Sequence, residues 1–203
     1  MSEVTVQVGG HVTLLFSIHS KALLARNQGS KGAGLCLEDG VMSTVRILEE
    51  GPDEISVIAM DGAPFESGKK LYSDLLKAFR HIFNVEEAVS IEIQLELPVS
   101  QGFGMSASGA IAAANAFQRA MGFPHEECLR RSLLVAHIVE RRLSNGLGDT
   151  TALASGGVER GTVAGSPYSG ELLTNGPGKS EGWSLRTPLL LCWKDSTGTQ
   201  TSN

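Results

Sequence analysis

The chain has 203 residues, of which 41% are hydrophobic and 19% are charged, and its formal net charge at pH 7 is −5. This composition is typical of a folded globular protein and excludes a disordered chain. The acidic balance argues against a nucleic acid as the main partner, because a nucleic-acid-binding surface needs clustered Lys and Arg.

The sequence shows no recognisable targeting or membrane segment. Its first residues lack the basic and apolar parts of a signal peptide, and no apolar run reaches the ~18 residues that a membrane span requires. Cys36, Cys128 and Cys192 are far apart and show no CxxC spacing, which argues against a zinc site or a redox motif. We therefore expect a cytoplasmic protein with free thiols and no membrane partner.

Strand patterns dominate the first part of the chain. Alternating apolar residues predict a strand at Val4–Val8, and a second β-rich run covers residues 11–18. Residues 19–34 are rich in Gly, Ser, Lys and Arg and predict a loop. A hairpin with its turn at Glu38-Asp39-Gly40 is predicted next, followed by a short strand at residues 55–58.

Four helices and one strand are predicted in the middle of the chain. Residues 67–83 carry apolar side chains at every fourth position, which predicts an amphipathic helix. Residues 88–97 alternate strictly and predict a half-buried strand. An Ala-rich helix is predicted at residues 106–121 and another at about residues 124–143. A glycine-containing break then precedes a short helix that begins at Asp149.

Two strands are predicted in the last part of the chain, at residues 158–164 and 189–193. Because the second of these lacks predicted partners nearby, we interpret it as the start of another domain that is largely absent. The first domain then covers residues 1–185, and residues 186–203 form the start of the second domain. Strands early in the chain with helices after them predict an α+β fold.

The loop between the strand at 88–97 and the Ala-rich helix has features of an anion site. Backbone N–H groups at a helix N-terminus attract negative charge, and Gly102 and Gly104 allow close approach of the backbone to phosphate oxygens. The hydroxyls of Ser106 and Ser108 could bind a phosphate oxygen or Mg²⁺. No Gly-Lys-Ser/Thr is present, so this is not a P-loop. The alternative is that the small residues only allow tight helix packing.

Two carboxylates flank the break after residue 143. Glu140 lies near the end of one predicted helix, and Asp149 follows Gly146-Leu147-Gly148, so the turn could bring both to one cleft. Paired carboxylates suit Mg²⁺ that also binds ATP phosphates, and one of them could instead accept a proton from a substrate hydroxyl. Taken alone, Glu140 could equally be an exposed helix charge and Asp149 a helix N-cap.

These motifs resemble those of the GHMP kinases, the superfamily of galactokinase, homoserine kinase, mevalonate kinase and phosphomevalonate kinase. The loop matches the second motif of that superfamily, which wraps the ATP phosphates. The resemblance therefore implies phosphate contacts from the following residues: Pro98, Gly102, Phe103, Gly104, Met105, Ser106, Ala107 and Ser108. Met105 stands where a first Ser is usual, and Ser106 falls on the second Ser, which is implied to help ligate Mg²⁺.

The acid pair also follows the order found in GHMP kinases. Glu140, Gly146-Leu147-Gly148-Asp149 and Gly156-Gly157 stand in the sequence of that superfamily's helix Glu, glycine turn, Asp and Gly-Gly. The resemblance implies that Glu140 holds Mg²⁺ and that Asp149 acts as a base or orients the attacking hydroxyl. The turn is somewhat shorter than in members similar to mevalonate kinase.

Two further segments resemble the archaeal pantoate kinases within this superfamily. Gly9-Gly10-His11-Val12-Thr13 is similar to their Pro-Gly-His-Ile-Thr, and Gly29-Ser30-Lys31-Gly32-Ala33-Gly34 is similar to their Gly-Ser-Arg-Gly-Ala-Gly. By this resemblance His11 and Thr13 line the substrate pocket, and Arg26 or Lys31 pairs with the substrate carboxylate. The alternatives are that His11 is a buried structural histidine and that both cations are solvated loop charges.

The implied fold is α+β, that of the GHMP-kinase N-terminal domain, a type also found in the second domain of ribosomal protein S5. The ferredoxin-like C-terminal domain is then largely missing, and with it the superfamily's third motif. The implied reaction is transfer of the ATP γ-phosphoryl group to the C4 hydroxyl of (R)-pantoate, a step towards coenzyme A.

Two alternatives stay open: a kinase for homoserine, a mevalonate-type acid or a sugar, and a nucleotide-binding module without activity. An apolar edge left by the missing domain also leads us to expect a homodimer.

Overall fold

The computed structural model describes residues 3–144 and 146–167, together with the backbone of residues 193–194 and 200–201. The strands in these residues are β1 Glu3–His19, β2 Gly29–Ile47, β3 Glu54–Ile58, β4 Val89–Leu95, β5 Val158–Gly161, β6 Trp193–Lys194 and β7 Gln200–Thr201. The α-helices are α1 Lys69–Phe83, α2 Met105–Ala120, α3 His125–Arg142 and α4 Asp149–Ser155.

The strands form one sheet in the order β3-β4-β2-β1-β6-β7, and β5 pairs with β2 as well. β3 and β4 are parallel and are connected through α1, whereas the other pairs are antiparallel. Such a mixed sheet with its helices packed on it is the α+β architecture predicted from the sequence, and that prediction is confirmed.

β1 and β2 form one long hairpin, and the predicted turn at Glu38-Asp39-Gly40 is wrong. Gly9 pairs with Gly40 but His11 pairs with Cys36, so residues 37–39 form a bulge in a strand that continues through them. A Cβ added to Gly9 would lie 1.9 Å from Leu37 O, so only glycine lets the bulge press against β1 here. Residues that favour a turn therefore form a bulge, and the chain reverses in residues 20–28, between the end of β1 and the start of β2.

The predicted loop at residues 19–34 is also partly wrong. Residues 29–34 belong to β2, where they pair with β1 on one side and, from Gly32, with β5 on the other. Their small side chains let three strands approach closely, as shown by Gly32, whose added Cβ would lie 2.1 Å from Leu15 O. A glycine-rich composition was thus a sign of close strand packing in this segment.

The core lies between the sheet and the helices, and α2 occupies its centre. The valines and isoleucines of one sheet face are buried, and every residue of α2 is buried except Ser106 and Arg119. Alanines along α2 let it pack closely on β1, β2 and α3. This packing fixes the N-terminus of α2, where Ser106 is half-buried, beside the bulged part of the β1–β2 hairpin.

The remaining sequence predictions agree with the described elements within a few residues. The helices predicted at 67–83, 106–121 and 124–143 correspond to α1, α2 and α3. Most of the strand predicted at 189–193 lies outside the described residues, but Trp193 pairs with Val6 of β1. The domain boundary at residue 186 lies outside them too and stays a prediction. In the described part of the chain, no helix is long and apolar enough to cross a bilayer.

Candidate active site

The loop between β4 and α2 reaches the helix through left-handed backbone conformations. Ser100, Gly102 and Gly104 have φ values of 60°, 82° and 62°. The two glycines adopt this conformation without strain. Gly104 is the N-cap of α2, and Ser108 N–H donates to Gly104 O at 3.0 Å. The N–H groups that precede Ser108 in the helix therefore stand at the positive end of its dipole, where an anion is stabilised.

A cleft of about 580 Å³ opens in front of this loop. Its lining comes from the loop and first turn of α2, from the segment that leads into α1, and from Gly146 and Asp149 at the turn before α4. Phe65 and Tyr72 contribute aromatic surface, and Lys70 contributes a cation. A cleft of this volume, mostly apolar with a few polar groups, suits a ligand the size of a nucleotide.

A buried histidine joins two carboxylates beside the cleft. His11 is 2% exposed, and its Nδ1 lies 3.0 Å from Asp149 Oδ1 while its Nε2 lies 3.4 Å from Glu159 Oε1. Burial opposes the charged form, but the hydrogen bond to Asp149 and the negative charges of Asp149 and Glu159 outweigh it and raise the pKa of His11 to about 9. His11 is therefore an imidazolium at neutral pH, paired with Asp149 on one side and with Glu159 on the other.

Asp149 takes part in this pairing and does not cap α4. The N-cap of α4 is Gly148, Asp149 is the first helical residue, and no side-chain capping bond is made. Its side chain is 22% exposed, so one face of the carboxylate is open to the cleft. The N-cap role considered for Asp149 is thus not the one it has in the structure.

Asp149 stands between the cleft and a second, smaller recess. The recess has a volume of about 30 Å³ and is lined by Thr13, Ser30 and Glu159 as well as by His11 and Asp149. Among the residues that the structure describes, Asp149 is the one that lines both spaces. A group entering the recess and a ligand filling the cleft would therefore meet at this carboxylate.

Glu140 on α3 brings a second carboxylate to the same place. It is 1% exposed, so it is not the exposed helix charge considered as the alternative. A Cβ added to Gly146 would lie 2.7 Å from Glu140 Oε2 and 2.9 Å from Asp149 Oδ2. Both oxygens therefore border the space beside Gly146, which lines the cleft, and the missing side chain of Gly146 keeps that space open.

The oxygen donors here fit a magnesium ion. No group of three or more His, Cys, Asp or Glu side chains in the described ranges could enclose a metal. Mg²⁺ does not need such a cage, because it keeps water and phosphate ligands beside one or two protein oxygens. The buried carboxylate of Glu140 and the hydroxyl of Ser106, a half-buried residue that lines the cleft, are suitable hard donors, and a cation would offset the cost of burying Glu140.

The match to known families covers this same region. Residues 70–157, from the start of α1 to the end of the Gly-Gly pair, match the family described as "GHMP kinases N terminal domain". The chain carries a GHMP kinase N-terminal domain. The fold implied by the sequence motifs is therefore confirmed.

The chain that contains this GHMP domain is similar to two pantoate kinases. It is 31% identical to that of Methanospirillum hungatei JF-1 over 166 residues, covering 77% of this chain and 52% of that protein. It is 30% identical to that of Thermococcus kodakarensis over 168 residues, covering 80% of this chain and 53% of that protein. The chain thus spans about half the length of the curated relatives that it matches.

A solved structure shares the fold of the GHMP domain. It is described as a "Phosphotransferase related to CoA biosynthesis pathway", and the TM-score is 0.72 at 24% identity, covering 84% of this chain and 56% of that chain. The mevalonate kinase of Staphylococcus aureus MRSA252 has a TM-score of 0.58 at 20% identity, covering 86% of this chain and 56% of that chain. At these identities the likeness concerns the fold alone.

Most of the predicted phosphate-binding residues of the GHMP domain line the cleft, namely Gly102, Phe103, Gly104, Met105 and Ser106. Pro98 and Ala107 lie outside its lining. The hydroxyl predicted for Ser108 is not available, because Ser108 is fully buried and donates to Gly9 O at 2.7 Å. Ser108 therefore fastens α2 to β1, and the two predicted hydroxyl donors reduce to Ser106.

The predicted substrate-binding residues of the GHMP domain are only partly brought together. His11 and Thr13 line the recess. Arg26 is exposed in the connection between β1 and β2, Lys31 is exposed on β2, and neither lines the cleft or the recess. Their pairing with a substrate carboxylate therefore stays a prediction.

Sequence reasoning missed three residues of this site: Glu159, Lys70 and Tyr72. Glu159 is buried on β5 while its neighbour Val158 is exposed, which is the reverse of what their polarity suggests. Its partner His11 lies on β1, and only the register of β5 with β2 brings the two together. Tyr72 is buried in the wall of the cleft, where burial and the charge of Glu140 raise its pKa.

We expect the GHMP domain to lose stability as pH rises from about 6.5 to about 9. The pKa of His11 is raised to about 9 in the folded domain, so its protonated form stabilises the fold fully below the unfolded value near 6.5 and loses that effect through 9. The loss should be of the order of 3 kcal/mol in the free energy of unfolding. Urea unfolding across this pH range measures it. His11→Asn should flatten the pH dependence of the free energy of unfolding, whereas His125→Asn, at an exposed position, should not. An equal slope in the unaltered protein and in both variants would contradict the assignment of this dependence to His11.

Proposed function

We propose that this domain is the ATP-binding part of a kinase that transfers the γ-phosphoryl group of ATP to the C4 hydroxyl of (R)-pantoate. The observation that carries the proposal is the position of Asp149, which lines both the nucleotide-sized cleft and the recess. The similarity to two proteins named pantoate kinase supports the choice of acceptor.

In the proposed reaction the loop and the helix end bind the phosphates of ATP. The N–H groups at the start of α2, with the hydroxyl of Ser106, would hold the phosphate oxygens, as a helix N-terminus does for other anions. Glu140 and Ser106 would hold Mg²⁺, which when bound neutralises the charge that develops on the transferred group. The apolar and aromatic surface near Phe65 and Tyr72 would take the rest of the nucleotide.

Asp149 would act on the acceptor. Its Oδ1 is held by His11, which leaves Oδ2, the oxygen beside Gly146, to accept the hydrogen of the acceptor hydroxyl and aim its oxygen at the phosphoryl group. The recess has room for a hydroxyl-sized group and not for a whole acceptor. The remainder of the pantoate would therefore extend from the recess beyond its described lining.

The function is tested by ADP release with Mg-ATP and four acceptors, (R)-pantoate, homoserine, mevalonate and galactose. The assay is run on this chain and on the full-length gene product, with (S)-pantoate as the matched stereochemical control. Turnover with (R)-pantoate alone would support the proposal, including the case where only the longer product is active. Turnover with another acceptor, or with none in either protein, would overturn the choice of pantoate.

A further inference from the structure

Glu159 is a buried acid that the proposed reaction does not use. It lies on β5, is 6% exposed, and points to the side of His11 that faces away from Asp149, with Oε1 3.4 Å from His11 Nε2. A carboxylate is costly to bury unless a cation accompanies it, and His11 is the cation that it contacts. Glu159 and Asp149 therefore share one imidazolium.

The ring of His11 has little freedom to leave this position. It lies over Gly34 of β2, where an added Cβ would be 2.1 Å from His11 Nε2. The backbone N–H of His11 donates to Phe103 O at 2.9 Å, which ties the histidine to the phosphate loop. Gly104 packs on it as well, since an added Cβ there would lie 3.3 Å from His11 Cβ and 3.5 Å from Asp149 Cγ. The histidine thus connects the phosphate loop, α4 and β5.

The charge of His11 depends on both carboxylates. In the described part of the chain, the titratable groups that face it are Asp149 on α4, Glu159 on β5 and Cys36, its cross-strand partner on β2. Burial and the charge of Glu159 raise the pKa of Cys36 to about 12, so this thiol stays neutral. Burial alone would lower the pKa of His11, and the two carboxylates together reverse that direction.

We propose that Glu159 is a positioning residue for Asp149, acting through His11, a role that rests on the proposed kinase function. Glu159 keeps His11 doubly protonated, so that Nδ1–H always donates to Asp149 Oδ1. This bond holds the Asp149 carboxylate in one orientation, with Oδ2 beside Gly146 and able to accept the hydrogen of the acceptor hydroxyl as its oxygen attacks the γ-phosphorus. Without Glu159 the imidazole loses a proton near neutral pH, and Asp149 loses its paired cation.

The first test is an NMR titration of the histidine rings, which needs no activity. In the unaltered protein the midpoint of His11 should lie near 9, and Glu159→Gln should lower it by about one pH unit or more. Glu92→Gln, on an exposed position of β4, is the matched control and should leave it in place. A midpoint below 7 in the unaltered protein, or no shift in Glu159→Gln, would overturn the inference, and the first of these readings does not depend on whether the variant folds.

The second test is the pH profile of kcat. In the unaltered enzyme kcat should fall only as pH passes about 9, and in Glu159→Gln this fall should begin about one pH unit lower or more, with KM for ATP unchanged. A merely structural role would lower kcat equally at every pH, and that result would overturn the inference. If no acceptor is turned over at all, the proposed kinase function fails, and the NMR titration alone decides whether Glu159 controls His11.

Discussion

Asp149→Asn should lower kcat for phosphoryl transfer by about 10²- to 10⁴-fold, because a neutral amide cannot accept the proton of the acceptor hydroxyl. The affinity for ATP should change little, since the phosphate loop and the helix end are untouched. Asn keeps the shape of Asp, and its Oδ1 can still accept the bond from His11 Nδ1. The experiment compares kcat and the Kd for ATP in the two proteins with the acceptor identified in the substrate assay.

Asp61→Asn is the matched control for this variant. Asp61 is exposed, and its Oδ1 accepts a bond from Ala63 N–H that Asn can also accept, so kcat should stay at the level of the unaltered enzyme. A full kcat in Asp149→Asn would contradict the assignment of Asp149 to the acceptor hydroxyl. A loss of ATP affinity in the same variant would place Asp149 with the nucleotide instead.

Glu140→Gln should separate catalysis from stability. Removing the charge that would hold Mg²⁺ should lower kcat by about 10²-fold or more. The free energy of unfolding should stay the same or rise, because a neutral amide of similar shape is less costly to bury than a carboxylate at 1% exposure. Mg²⁺ titration of kcat and thermal unfolding of the same samples measure the two effects.

Glu126→Gln, on an exposed position of the same helix, is the control and should change neither kcat nor the free energy of unfolding.

A second variant, Gly146→Ala, tests the same site without altering a charge, since its Cβ would lie 2.7 Å from Glu140 Oε2. Its control is Gly161→Ala, where the nearest atoms would be 3.9 Å away. If the Mg²⁺ dependence of kcat is unchanged in both Glu140→Gln and Gly146→Ala, the assignment of Mg²⁺ to this position is wrong.

The parts of the site that the sequence predicted are those with local signals. The loop before α2 combines glycines, a serine and an Ala-rich helix within a few residues, so both its backbone shape and its place at the helix end follow from adjacent positions. The periodicity of residues 67–83 likewise identified α1, whose buried side chains include Leu71, Leu75 and Phe79. These features do not depend on which strands pair.

The parts that it did not predict depend on strand register. Glu38-Asp39-Gly40 has the composition of a turn, yet pairing with β1 on both sides makes it a bulge. The cluster of His11, Asp149 and Glu159 joins residues more than a hundred positions apart through β1, α4 and β5. No local pattern marks Glu159 as the partner of His11, because the contact exists only once β5 pairs with β2.

The position of Asp149 between the two spaces also limits the order of events. Because Asp149 borders both the cleft and the recess, donor and acceptor would be bound together in a ternary complex before any bond changes. Direct transfer within such a complex gives sequential rather than ping-pong kinetics and needs no phosphorylated enzyme. A single direct transfer of this kind would invert the configuration at the transferred phosphorus.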